Sequence, residues 1–199
     1  MSSVQRDTKT RILETTLKLL ESGDKKVRMS DIAKAVGISR QALYLHYPNR
    51  ADLLIAATRY LDRVKDADAR LAESRAATSG LARLHAYIDA WGGYIPEIHG
   101  ILSALRAMRD TDAEAAAACD DRMDAMRQGC AAAVRALNAD GMLRPDLTED
   151  TATDLLWSIL SAEMWEHLVK RCGWTQDAYR AEVTRLADGA LIATPQSTP

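Results

Sequence analysis

Apolar positions recur along this chain at helical spacing almost from end to end. Between Thr8 and Ser22, Ile12, Leu13, Leu17, Leu19 and Leu20 mark one face of a helix, with Gly23 placed to stop it. Ser30 is placed to cap a second helix, and Asp31 lies in its first turn, where the helix dipole favours an acid. Ile32, Ala33 and Val36 form its inner face and Gly37 ends it. Ile38 then turns inward, Ser39 caps a third helix that runs through Leu43 to about Tyr47, and Pro48 blocks its continuation.

The same pattern continues through the remaining chain. A long fourth helix is predicted from 50 to near 76 with an inner stripe of Leu54, Ala57, Leu61, Val64 and Leu71, followed by a loop over 77–80. Leu81, Leu84, Ile88 and Trp91 give a fifth helix, ended by Gly92 and Gly93. Pro96 suits the first turn of a sixth, which carries Ile98, Ile101, Leu102, Leu105 and Met108. Asp112 opens a seventh with Cys119, Met123, Met126, Cys130, Val134 and Leu137 on one stripe, stopped by Gly141. Thr148 caps an eighth, and the run from Leu155 to Trp165 is apolar on almost every side, which calls for partners on two faces. Thr175 caps a ninth with Tyr179, Val183, Leu186 and Ala190. The expectation is an all-α protein of about nine helices.

Composition strengthens that reading. Thirty-four Ala stand against ten Gly and five Pro in 199 residues, so helix formers far outnumber breakers. There is no Phe, which leaves Leu, Ile, Ala, Met and Trp to fill the core. No stretch approaches the ~18 unbroken apolar residues of a membrane span, and Met1 to Thr10 is too polar for a signal peptide. Cys119, Cys130 and Cys172 are odd in number and lack C-x-x-C spacing, so reduced thiols in a cytoplasm are expected rather than disulfides or a zinc site.

The formal net charge of −2 conceals a division. Residues 1–50 hold ten Lys/Arg and five Asp/Glu, a net of +5, while the other 149 residues carry a net of −7. A basic head on an acidic body fits a phosphate-binding module joined to a domain that does not bind nucleic acid.

Within the head, Ala33, Gly37 four residues later and Leu43 have the spacing that two steeply crossing helices need. Ala33 is small where the helices approach, and Gly37 can take a positive φ at the turn. Such a helix-turn-helix offers the N-terminal half of its second helix to the DNA major groove. An unrelated αα-hairpin shares the Ala and the Gly; the flanking residues separate the two. Ser39, Arg40, Gln41, Tyr44 and His46 put hydroxyl, guanidinium, amide and aromatic groups within two turns. Arg can read guanine and Gln adenine, while Ser and Tyr hold phosphates. Asn49 can cap the fourth helix, with Asp52 three residues on. Its free N–H groups, with Arg50 beside them, are expected to form a second phosphate anchor.

The run from Met29 to Leu54, with Leu43-Tyr44-Leu45-His46-Tyr47 and then Leu53-Leu54, resembles the DNA-binding domain of the tetracycline-repressor (TetR) family. Tyr47 replaces the usual Phe, and Asn49-Arg50-Ala51 replaces Ser-Lys-Glu, keeping an aromatic plug, a cap and a cation but losing one acid. The resemblance is specific over about residues 8–55 and elsewhere rests on helical layout. It implies that Ser39, Gln41, Ala42, Tyr44 and His46 face DNA, that Arg50 and Lys9 meet the backbone, and that Leu43 and Tyr47 are core. Arg6 and Lys9 form either a flexible arm along the groove or a solvated tail. The candidate DNA-contacting set is Lys9, Ser30, Ser39, Arg40, Gln41, Ala42, Tyr44, His46, Asn49 and Arg50.

For the remainder, a DNA-binding domain over residues 1–50, a ligand-binding and dimerisation domain over 51–193 and a flexible tail over 194–199 are expected. The resemblance implies a ligand pocket among helices four to eight, with Tyr87, Trp91, Tyr94, His99, Arg106, Met123, Met126, Trp157 and Trp165 as candidates and His99 and Arg106 as polar orienters. Met and Trp at helical spacing are more often plain core. The last two helices from each of two subunits would make a four-helix homodimer interface, and two heads would read the half-sites of a palindromic operator.

The leading expectation is therefore a transcriptional repressor that leaves its double-stranded operator when a small hydrophobic or amphipathic effector binds. An alternative keeps the DNA binding but acts through a protein partner, without an effector. An enzyme is not expected. Glu163 and His167 are four apart, but His85, His99 and Cys119 supply no third ligand or orienting acid at a suitable spacing, and no metal, cofactor or membrane is implied.

Overall fold

The computed structural model describes residues 3–22 and 27–193, without the side chains of 3–7. The expected helix stop at Gly23, the side chain of Arg6 and the tail 194–199 lie outside the described residues. The chain is all-α and forms two compact units, one of residues up to Asp66 together with Ile98–Met123, the other of Ala67–Glu97 together with the chain from Asp124 onward. Among the described residues there is no strand, only an isolated bridge between Leu143 and Ile192.

The first unit opens with α1 (Ser3–Glu21), α2 (Met29–Val36), α3 (Arg40–His46) and α4 (Arg50–Val64). Helix α1 starts five residues before Thr8, so Lys9 stands on a helix and not on a flexible arm. Helix α2 starts at Met29, which corrects the capping role expected of Ser30. Arg28 holds the N-cap position and its backbone N–H donates to the Asp31 carboxylate at 3.4 Å, while Ser30 lies inside the first turn. Gly37 has φ +78°, and the N–H groups of Gly37 and Ile38 both donate to the Ala33 carbonyl at 3.0 Å. That left-handed residue closes α2 and turns the chain into α3. Ile12, Leu20, Ile32, Leu43, Leu53 and Leu54 are fully buried beneath these helices.

Helix α4 stops at Val64 instead of continuing to residue 76. Beyond Leu61 the apolar stripe fails, since Val64 is exposed, and Asp66 adopts φ +51°, a left-handed conformation that a short acid side chain tolerates. Two short helices follow in the second unit, α5 (Ala67–Arg70) and α6 (Ala72–Ala76).

The expected break at Gly92-Gly93 is also absent: α7 (Gly80–Met108) runs unbroken through both glycines and Pro96. Proline at 96 removes the N–H that would reach the carbonyl of Gly92. The side-chain amide of Gln176 takes its place, donating to the Gly92 carbonyl at 2.6 Å, and the Gln176 carbonyl accepts the indole N–H of Trp165 at 2.9 Å. A bond from another part of the fold thus satisfies the group that proline orphans. Helix α8 (Ala113–Ala139) ends as expected before Gly141, whose φ is +69°.

The greasy run from Leu155 to Trp165 is not one helix. It divides into α9 (Glu149–Ile159) and α10 (Ala162–Trp165), followed by a π-helical turn over Glu166–Arg171 and then α11 (Gln176–Leu191). The side chain of Ser161 caps α10 by accepting from the Met164 N–H at 3.2 Å, and the Leu160 carbonyl accepts the Trp91 indole N–H at 2.7 Å. The inner stripe of α11 is Tyr179, Val183, Ala187 and Leu191, so Leu186, expected inside, faces out. Thr148 and Thr175 cap α9 and α11 as the pattern predicts. All three cysteines are free; burial pushes the Cys130 thiol up to about 12.

Candidate nucleic-acid interface

Seven residues make α3, and its inward face is Leu43, fully buried. Ser39 caps it, accepting the Ala42 N–H at 3.1 Å. Around the remaining circumference, Arg40, Gln41 and Tyr44 are exposed, and Ala42 and His46 are half-buried. Tyr47 is buried behind the helix, and the exposed Lys9 ammonium lies 5.8 Å from the centre of its ring. Asn49 caps α4 by accepting the Asp52 N–H at 2.8 Å and donates to the Asp52 carboxylate at 2.9 Å. Ser30, Arg40, Tyr44 and Asn49 line one groove of about 660 Å³ together with Arg28. Arg28 is not among the candidates named from the sequence; its exposure beside Ser30 places it with the others.

Arg50 departs from expectation. It is only 8% exposed, and its Nη1 donates to both carboxylate oxygens of Asp112, at 2.8 and 2.7 Å, while its Nε donates to the Val27 carbonyl. Its guanidinium is committed inside the unit, so the expected phosphate anchor is replaced by an internal ion pair. Burial pushes the Asp112 carboxyl upward, but the Ala115 N–H, the Arg50 guanidinium and the Glu114 N–H outweigh that and hold it below the usual range. Distance in sequence hid the pair: nothing near Arg50 announces Asp112.

Residues 12–57 match the family described as bacterial regulatory proteins, tetR family. The head belongs to the tetR family. Its match spans α2, α3, the second half of α1 and the first half of α4, the segments that flank the turn around Gly37.

Solved structures similar to this chain extend the likeness in fold over the full length. A candidate transcriptional regulator from Saccharomonospora viridis, in complex with choline, is 22% identical, with 95% of this chain and 100% of that chain covered and a TM-score of 0.71. The fatty acid degradation regulator FadR from Bacillus halodurans is 16% identical, with 92% and 95% covered and a TM-score of 0.72. NalD, the secondary repressor of the MexAB-OprM multidrug efflux pump in Pseudomonas aeruginosa, is 19% identical, with 94% and 96% covered and a TM-score of 0.66. Among curated proteins none matches the chain. The tetR-family head thus stands in a chain with the fold of transcriptional regulators.

The two compact units divide the nine ligand candidates. His99, Arg106 and Met123 belong to the first unit and are each half-buried. In the second, the Tyr87 hydroxyl donates to the Met126 carbonyl at 3.0 Å, and Gly129 makes room for the ring: a Cβ there would lie 2.7 Å from its carbons. Trp91 meets Tyr94 edge to face, with ring centroids 6.2 Å apart, and the Arg70 guanidinium lies 5.4 Å from the Tyr94 ring. Trp157 is half-buried and Trp165 buried, the latter tied to Gln176. Among the described residues no helix is long and apolar enough to cross a membrane.

Proposed function

We propose that this protein is a transcriptional repressor whose homodimer holds a palindromic operator and releases it when a small hydrophobic or amphipathic molecule binds. The observation that carries the reading is α3 itself: a short helix set beyond a left-handed glycine, with Gln41 and Tyr44 exposed and Leu43 buried, in a tetR-family head. In this reading residues 1–50 read DNA, with Lys9, Ser30, Ser39, Arg40, Gln41, Ala42, Tyr44, His46 and Asn49 as the contacting set. Residues 51–193 bind the effector and dimerise. Exposed Leu155, Trp174 and Leu186, on or beside α9 and α11, support a self-associating surface on the last helices.

The choline held by the Saccharomonospora viridis structure, and the aromatic content of the Tyr87, Trp91, Tyr94, Trp157 and Trp165 set, support an amphipathic effector class. Release requires that the effector bind the DNA-incompetent arrangement more tightly, since equal affinity shifts nothing. The reading needs no catalysis or cofactor and fits a cytoplasmic protein.

Selection from a random duplex library at physiological salt tests it. The expected result is an enriched palindrome bound by a dimer, with affinity that falls steeply as salt rises. Tyr44→Ala and Gln41→Ala should weaken that binding by roughly 1–3 kcal/mol each while the dimer persists; loss of the dimer in those variants, or no enriched sequence, would count against it. The alternative, action through a protein partner, is favoured if DNA binds but no amphipathic ligand alters thermal stability or DNA affinity.

A further inference from the structure

We propose that Leu45 reads the methyl group of a thymine in the operator half-site. This rests on the DNA-binding reading of α3 and gives that helix an apolar reader beside its polar ones. Leu45 is 88% exposed, more than any other large hydrophobic side chain among the described residues. It is also the apolar residue that the amphipathic pattern of the head leaves outside.

Helix geometry fixes where it points. With about 100° per residue, Gln41 and Leu45 each fall roughly 160° from the buried Leu43 and about 40° from each other. They are i,i+4 neighbours on the outward crest of α3. Tyr44 and Ala42 fall on its flanks, about 100° to either side of Leu43. A helix laid in the major groove turns its crest to the base edges and its flanks toward the phosphate walls. The crest here offers an amide and an isobutyl group. Gln pairs with the N6 and N7 of adenine, and the apolar feature displayed in the major groove is the thymine C5 methyl.

Charge argues for the same occupant. The sequence of α3 has no acidic residue, and on or beside α2 and α3 the exposed Arg28, Lys34 and Arg40 outnumber the exposed Asp31. A protein partner seated on Leu45 would have to accept that cationic rim, whereas DNA supplies phosphates for the rim and methyl groups for the centre.

The test uses the full chain and the duplex enriched by library selection, with each thymine replaced in turn by deoxyuridine, which deletes only the methyl. For the wild type we expect one symmetry-related thymine pair whose replacement weakens binding about fifteenfold, on the order of fourfold per lost methyl contact. Leu45→Ala should lose that sensitivity and keep the response to every other position, with an unchanged melting temperature because the side chain is exposed. Identical uracil profiles for Leu45→Ala and wild type would overturn the proposal, as would a wild type indifferent to every thymine methyl. A variant that alters the oligomeric state would assign Leu45 to a contact between copies and equally overturn it. If no duplex is enriched at all, the DNA-binding reading fails first and Leu45 with it.

Discussion

Arg50 at the start of α4 and Asp112 at the start of α8 form a two-pronged ion pair across 62 residues of sequence. Arg59 repeats the arrangement with Asp121, nine residues further along each helix, and Arg122 returns from α8 to Asp62. The matching step in both helices means that α4 and α8 run in the same direction here, stitched at two levels. The fourth helix of the head is therefore held by charge as well as by the apolar contacts of Leu53, Leu54 and Ala57.

Removing the Asp112 carboxylate leaves the buried Arg50 with the longer ion-pair contact to Glu114, at 3.6 Å. Asp112→Asn should destabilise the protein by about 3 kcal/mol, the low end for a buried pair because Asp112 keeps partial exposure. Arg59→Ala should cost less than about 1 kcal/mol, since Arg59 is mostly in solvent. Urea midpoints of the two variants check the order; a larger loss in Arg59→Ala would reverse the assignment.

The same carboxylates set an acid limit. At Asp121, burial pushes the carboxyl up, but the Arg59 and Arg122 guanidiniums outweigh it, and like Asp112 it is held below the ordinary 3.8. A depressed native value means the stabilisation is complete above the unfolded value and is lost as pH falls through the native one. Stability should therefore decline below about pH 4, and Asp112→Asn should show a shallower decline from its lower starting point. Melting temperatures between pH 7 and pH 3 measure both slopes.

Gln176 holds a double post. Its replacement by Ala removes both the bond to the Gly92 carbonyl and the bond from the Trp165 indole N–H, with an expected cost of about 2–3 kcal/mol. Pro96→Ala restores a backbone donor to α7, so the double variant should recover part of that loss. Denaturant titration of the two single variants and the double variant gives the coupling, and strict additivity would argue against the relay.

Three helical glycines should respond differently to alanine. Gly100 is exposed, with nothing near its missing Cβ, and Gly100→Ala should stabilise by up to ~1 kcal/mol. At Gly129 the new methyl meets the Tyr87 ring, itself fixed by the Met126 carbonyl, and the net cost should be about 1–2 kcal/mol. At Gly80 the obstacle is the backbone of Ala136 and Leu137, with the Leu137 Cα 2.5 Å away, which cannot swing aside. Gly80→Ala should be the most damaging of the three by thermal melting.

The head was legible because its signals are local. Gly37, Ser39, Pro48 and Asn49 each act within four residues, so turn, cap and stop could be read in order. Its outward residues were legible for the same reason, except Leu45, whose exposure no local signal announces. The body was less legible where long-range contacts override local rules. Gly92-Gly93 and Pro96 predict a break that Gln176 abolishes, and the unbroken greasy run 155–165 predicts a helix that Ser161 and the Trp91 bond to Leu160 divide.

By itself, then, the sequence determined the helical class, the placement of the turn and the basic head, because period, capping and composition operate over a few residues. The tertiary structure decided which polar side chains were spent internally. Arg50 reads as a phosphate anchor from its neighbours, and it is an ion-pair partner because folding brings Asp112 to it. A guanidinium that finds a carboxylate and a carbonyl inside the fold is drawn in by bonds that no local pattern encodes.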